Sequence, residues 1–249
     1  MSARPVVAGN WKMHHGPDAT ASFFRQLPDL SRAQARVLVF PPALSFAAAR
    51  ESAPAGVELG VQNVYWEAQG AFTGEVSAGM AAEAGARHVL IGHSERRHVF
   101  GETDEQVALK TASVLAVGLT PVVCVGETLQ ERRSGRLEQV IGTQLDAVLG
   151  AFADASAAEV MVAYEPVWAI GTGETATPAD AQEAQRFLRE RLAARLGSAR
   201  SVTIPILYGG SVKPGNAGEL LAQADVDGLL VGGASLEPQS FAQIVAAGG

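Results

Sequence analysis

Cysteine is nearly missing from this chain of 249 residues: Cys124 stands alone. No intramolecular disulfide can form, which fits a reducing compartment. Lysine is also scarce. Of 19 basic residues only Lys12, Lys110 and Lys213 are lysine, the rest arginine. Positive charge is in deficit, with a net charge of −7 and a pI near 5.3. That excludes a broad nucleic-acid footprint but leaves room for a small local cationic site. No apolar run is long enough to span a bilayer, because Pro41 and Pro42 break the best candidate. Met1-Ser2-Ala3-Arg4-Pro5 is not followed by the apolar core of a signal peptide. A cytoplasmic protein with no membrane and no nucleic-acid partner is expected. Two nucleotide signatures are absent: the G-x-x-x-x-G-K-[ST] loop, and the glycine fingerprint after the first strand of a dinucleotide-binding sheet. Gly171-Thr172-Gly173 alone does not replace either.

What is present is alternation. Short apolar runs recur at residues 5–11, 36–40, 57–62, 88–92, 120–125, 160–163, 202–208 and 226–231. Each reads as a buried strand. Helical patterns lie between them. Pro17 and Asp18 open one with Phe23, Leu27 and Leu30 on a single face. Others run over 44–51, 78–84 with Gly85 as stop, and 137–149. Thr103 with Gln106 forms a capping box for a helix reaching Gly118. Thr177, Pro178 and Asp180 start another, which ends at Gly197. Asn216 with Glu219 predicts the cap of a short helix, and a last one follows Pro238. Composition shows no break and no linker. Eight strand–helix units in about 250 residues predict a single-domain α/β chain folded as a closed (β/α)8 barrel, residues 1–249. An open doubly wound sheet is the rival.

In such a barrel chemistry sits at the C-terminal ends of the strands. Those ends carry Asn10 and Lys12, His93, Cys124 and Glu127, Glu165, Gly209-Gly210-Ser211, and Gly232-Gly233. Consecutive glycine turns after the last two strands suit a phosphate, because backbone N–H groups can approach an anion without side chains in the way. Either pair alone would read as a tight turn. Lys12 alone would read as a solvated lysine, but opposite a phosphate it can neutralise substrate charge. His93 precedes a helix start at Ser94, so positive potential there predicts a lowered pKa and a neutral imidazole able to donate a hydrogen bond. His88, His93 and His98 lack metal-ligand spacing, so no metal is expected. Cys124 closes an apolar run and reads as a small packed hydrophobe. Glu165 ends the sixth strand and Pro166 holds it extended. Trp168, Ile170 and the glycines behind them suggest a lid. A carboxylate base, a neutral donor, an ammonium and a phosphate cradle together suit proton abstraction beside a carbonyl through an enediolate. No cofactor is required. Water must be excluded, because an enediolate bearing a β-phosphate can expel it.

Five segments carry a resemblance. They are Gly9-Asn10-Trp11-Lys12, Gly92-His93-Ser94-Glu95-Arg96-Arg97, the stretch from Tyr164 to Gly173, Tyr208-Gly209-Gly210-Ser211 and Val231-Gly232-Gly233-Ala234-Ser235. In order and spacing they resemble the triosephosphate isomerase family. The resemblance implies interconversion of dihydroxyacetone phosphate and glyceraldehyde 3-phosphate, a step of glycolysis and gluconeogenesis. It implies Glu165 as base, His93 as electrophile, Lys12 and Asn10 as oxyanion and substrate contacts, and Glu95 as an electrostatic support. Gly171, Ser211, Gly232 and Gly233 are implied as phosphate contacts. Gly70 to Glu75 is similar to the family's interdigitating loop, which implies a homodimer. Two departures stand out: Glu174 just past the lid tip, and His14-His15, expected to touch the dimer interface more than the chemistry. Two other readings stay open. An aldolase on the same barrel would need a Schiff-base lysine at a strand end. A catalytically dead phosphate-binding scaffold would be expected to lack Glu165, His93 or Lys12, yet all three are present.

Overall fold

The computed structural model describes residues 4–155, 159–170 and 176–249. Gly171 and Glu174 lie outside them. The eight strands are β1 (Val6–Asn10), β2 (Arg36–Phe40), β3 (Val57–Val61), β4 (His88–Ile91), β5 (Thr120–Val125), β6 (Met161–Tyr164), β7 (Ile206–Tyr208) and β8 (Gly228–Val231). Each pairs in parallel with its sequence neighbours, and β8 returns to β1 through Val6↔Gly228 to Gly9↔Val231, closing the barrel. An open sheet is thereby excluded.

Side chains alternate across a strand, so every second residue points into the barrel. One buried cluster gathers Val6, Ala8, Leu38, Phe40, Leu90, Val122, Cys124, Met161, Ala163, Leu207 and Leu230. These share one parity on their strands and fill the middle of the barrel. The opposite parity, with Val7, Val37, Val39, Val123 and Val162, joins the larger cluster beneath the helices. Cys124 is fully buried among the interior set, as a small hydrophobe should be. Where the interior parity runs on beyond the apolar middle, polar residues take over. Arg36, Glu58, His88, Thr120 and Glu159 continue it downward. Asn10, Lys12 and Glu165 continue it upward. The site is therefore the top layer of the barrel interior.

The helices are α1 (Pro17–Gln26), α2 (Phe46–Ser52), α3 (Ala78–Ala84), α4 (Ser94–Phe100), α5 (Asp104–Ala116), α6 (Leu129–Arg133), α7 (Leu137–Asp154), α8 (Pro178–Leu196), α9 (Ser198–Ser201), α10 (Pro214–Leu221) and α11 (Pro238–Ala246). Capping boxes set the starts of α5 at Thr103 and α8 at Thr177 as expected. One at Thr128 starts α6, which the apolar pattern did not reveal because that helix buries nothing fully.

Three expected boundaries move. The first helix stops at Gln26, and Leu27 is extended (ψ 125°) because Pro28 follows it, so Leu27 and Leu30 pack from a loop. β7 begins at Ile206, not Val202: residues 198–201 form α9 and Val202 is 71% exposed. α10 begins at Pro214, so Asn216 is its third residue. Its Oδ1 accepts the Lys213 N–H at 2.8 Å, and its Nδ2 donates to the Ser211 carbonyl at 3.0 Å. Proline at the first helical position was the stronger start signal.

Candidate active site

Glu165 follows β6 directly. Its N–H donates to the Val125 carbonyl at 2.8 Å, so the last rung of the barrel ladder fixes its backbone. The side chain is 2% exposed. One carboxylate oxygen accepts the Ser94 N–H at 2.8 Å and the other lies 2.9 Å from His93 Nε2.

His93 reaches the same interior because Gly92 breaks the strand's alternation. Gly92 has φ +70°, and a side chain there would fall 2.9 Å from Arg97 and 3.0 Å from Val107. Glycine is needed on both counts. His93 then caps α4, with Nδ1 accepting the Glu95 N–H at 3.2 Å. A backbone N–H can only donate, so Nδ1 carries no proton and Nε2 carries the hydrogen that faces Glu165. The expected neutral ring is what this geometry holds. The expected downward pKa shift is not. Burial pushes His93 down, but the Glu165 carboxylate outweighs it and the net direction is up. The sequence placed Glu165 on the same rim but gave no sign that its carboxylate lies within hydrogen-bond reach of the ring. For Glu165 itself burial pushes upward, and His93, the Ser94 N–H and Lys12 together bring the net direction below the usual carboxylate range. The base is ionised at neutral pH.

Lys12 has φ +50°, an uncommon conformation for a side-chain-bearing residue. Two contacts hold it. Asn10 Oδ1 accepts the Lys12 N–H at 3.0 Å, and Gln62 Nε2 donates to its carbonyl at 2.8 Å. The ammonium meets Glu95 at 2.6 Å. Gln62 also donates to the Phe40 carbonyl at 2.9 Å, tying the ends of β2 and β3 to this turn. Nothing in the residue pattern singled it out.

Across from these groups a cleft of about 520 Å³ opens between Lys12, His93, Glu165, Ile170, Ser211 and Gly232. Gly209, Gly210 and Gly233 also line it. Gly209 N–H is already used by the Tyr164 carbonyl at 2.7 Å. Gly233 opens a 3-10 turn to Leu236, and Gly233 and Ala234 at its start line the cleft. A side chain at Gly232 would come within 3.7 Å of Lys12 Cε, which brings ammonium and glycine turn together. All the described residues of the expected site thus meet in one cleft. Among the described residues no group of acidic, histidine or cysteine side chains has the arrangement of a metal site. Of the other lysines, Lys110 is buried against Glu102 and Asn63 at 2.9 and 2.8 Å, outside the cleft, and Lys213 is exposed at its rim.

Glu127 was noted only as a strand-end carboxylate. It is fully buried, and burial raises its pKa. It accepts from Tyr164 Oη at 3.1 Å and Trp168 Nε1 at 2.8 Å, while its carbonyl accepts the Val167 N–H at 3.1 Å. It anchors the start of the expected lid. Of the two departures, His14 is exposed, whereas His15 packs edge-on to Trp11 (4.9 Å) and meets the Leu236 carbonyl at 3.0 Å. His15 is therefore tied to its own barrel, through Trp11 and the turn after β8.

A family model described as Triosephosphate isomerase matches residues 5–248. Relatives carrying that same name are 51% identical in Alkalilimnicola ehrlichii, 50% in Halorhodospira halophila and 46% in Solibacter usitatus. The first alignment covers 98% of both chains, and the other two cover 96–98% of each chain. No helix among the described residues is long and apolar enough to cross a membrane. From end to end, the chain belongs to the triosephosphate isomerase family.

Proposed function

We propose that this chain, a single catalytic domain acting in the cytoplasm, interconverts dihydroxyacetone phosphate and glyceraldehyde 3-phosphate. The observation that carries the reading is the buried Glu165 carboxylate 2.9 Å from the Nε2–H of a neutral His93, both opening on a cleft with a glycine-turn wall. Glu165 takes a proton from the carbon beside the substrate carbonyl. His93 Nε2–H gives a hydrogen bond, then its proton, to the developing enediolate oxygen, and later recovers a proton from the neighbouring hydroxyl. Glu165 returns its proton to the adjacent carbon, so protons balance and no cofactor enters. Lys12 lies beside the oxyanion and substrate charge, held by Asn10 and Glu95. Glu95 adds a second role, since its backbone N–H holds the His93 tautomer. Ser211, Gly232 and Gly233 line the wall that this reading assigns to the phosphate; Gly171, which the family resemblance implies as a further contact, lies outside the described residues. To reach a substrate proton, Glu165 must exchange at least one of its two present partners.

The test is a coupled assay of triose phosphate turnover. Glu165→Asp should lower kcat by about a hundredfold or more while KM changes little, because shortening the base displaces it from the reacting carbon. Unchanged turnover would remove Glu165 as base. An inactive wild-type enzyme would favour the scaffold reading.

A homodimer is part of the same reading. The 70–75 loop is exposed, with its neck closed by Tyr65 N–H to the Val76 carbonyl at 2.8 Å. A recess of about 200 Å³ sits beside Lys12 and Glu95, walled by Met13, Asn63 and Phe100. Met13 is 93% exposed and Phe100 69%, apolar surface that a second copy's loop would cover. Light scattering should show a dimer for the wild type and a monomer for Met13→Glu. A monomeric wild type would overturn the dimer.

A further inference from the structure

Glu165 rests on a surface that is itself held from outside the barrel. A Cβ on Gly126 would fall 1.8 Å from the Glu165 carbonyl oxygen and 2.7 Å from its carbonyl carbon. The base's peptide group therefore lies directly on the Gly126 backbone. Gly126 is one residue beyond β5, past the last registered pair Val125↔Tyr164. There the ladder ends, and a backbone N–H and C=O must find other partners. Both find the same one. Gly126 N–H donates to Gln144 Oε1 at 2.7 Å, and Gln144 Nε2 donates to the Gly126 carbonyl at 3.1 Å. Gln144 comes from α7, and its primary amide imitates the edge of a neighbouring strand. The two bonds fix which amide atom is which, since the N–H needs an acceptor and the carbonyl a donor.

The held segment continues. Glu127, the next residue, grips Val167 through its carbonyl and Trp168 through its carboxylate. Backbone on both sides of Glu165 thus runs along a rail that Gln144 pins at Gly126. We infer that Gln144 is a positioning residue for the isomerisation, its amide clamping Gly126 and through it fixing where the Glu165 carboxylate stands relative to substrate. This rests on the isomerase reading of the site. Gln144 touches neither substrate space nor the phosphate wall, which is built from the turns after β7 and β8. Its loss must act on the chemical step and leave the substrate grip alone.

Two variants test it. Gln144→Leu keeps the bulk and removes both bonds. Gln144→Glu keeps the acceptor for the N–H but sets a carboxylate against a carbonyl. Protonated, that introduced carboxyl again both accepts and donates. Steady-state kinetics are measured on folded protein, well below each variant's Tm. For Gln144→Leu, kcat should fall about tenfold or more with KM within about twofold, as expected for a misplaced base. For Gln144→Glu, kcat relative to the wild type should climb as pH falls and the introduced group protonates. A kcat within twofold of the wild type for Gln144→Leu, or a loss that follows the folded fraction, would overturn the inference. So would a pH-independent ratio for Gln144→Glu, which still decides the matter if Gln144→Leu does not fold. An inactive wild type would instead bring down the isomerase reading, and the inference with it.

Discussion

At the lower end of the barrel His88 Nε2 meets Glu58 at 2.8 Å; at the upper end His93 Nε2 meets Glu165 at 2.9 Å. The two histidines belong to the two ends of one strand: His88 is the first residue of β4 and His93 lies two residues past its last. Each pair has a cation–carboxylate pair beside it, Arg36 with Glu159 below and Lys12 with Glu95 above. Residue types and distances hardly distinguish the two layers. Their neighbours do. Below, Arg36 bridges Glu58 and Glu159, Thr120 adds a bond to Glu159 at 3.4 Å, and the interior positions of β2 to β5 and the residue leading into β6 all carry side chains. These side chains bond one another across this end of the barrel and form a plug. Above, the interior positions after β7 and β8 are Gly209 and Gly232, and the space their missing side chains leave belongs to the cleft. The helix that starts there, α4, also turns its N–H groups inward, one to Glu165 and one to His93. A buried histidine–carboxylate pair becomes a site where volume is left beside it and where a partner can be exchanged.

That contrast can be broken at either end. The largest effect should come from matched carboxylate changes. Glu165→Asp should cost about a hundredfold in kcat, whereas Glu58→Gln should leave kcat within about twofold. Equal losses would mean the two layers are not functionally separate. Refilling the cleft should be next. A Cβ at Gly209 would fall 2.9 Å from Glu165 Cγ, so Gly209→Ala should lower kcat roughly tenfold with little change in Tm. Unimpaired turnover would show that the empty interior position is not needed.

The smallest effect concerns stability. His88 and Arg36 hold the Glu58 carboxyl down to about 2 from 4.5, burial opposing them. A carboxylate depressed on folding stabilises above its unfolded pKa and loses that stabilisation as pH falls through its folded pKa. The Glu58 contribution is therefore full above about pH 4.5 and gone near pH 2, and amounts to roughly 1–2 kcal/mol once screening is allowed for. Denaturant melts from pH 5 to 2 should show the wild type losing this increment and Glu58→Gln lacking that part of the slope. Parallel curves would rule out the plug as a stabilising element.

Much of the site could be read directly from the chain. Asn10, Lys12 and Glu165 sit at the next interior position after an apolar strand, and a period of two announces that. His93 is off that parity, yet Gly92 before it signals the turn that brings it inward. What could not be read were contacts between distant segments. Gln62 and Gln144 are ordinary amides by composition, and only the folded chain sets one against the Lys12 carbonyl and the other against Gly126. Glu127 looked like a site carboxylate but holds Tyr164 and Trp168 instead. Helix and strand ends failed where one local signal outranked another: Pro28 over the apolar periodicity at Leu27, and Pro214 over Asn216.

The chain by itself determined eight parallel units, the interior parity, and the glycines that leave a cavity on one rim. These are local or periodic properties, carried by each residue and its near neighbours. Tertiary structure alone decided the direction of the His93 shift, because that depends on a carboxylate seventy-two residues further along the chain. It likewise decided which of two nearly identical histidine–glutamate pairs faces a cleft and which closes a plug. Charges interact through space, and the low-dielectric interior that gives those interactions their strength exists only once the barrel has closed.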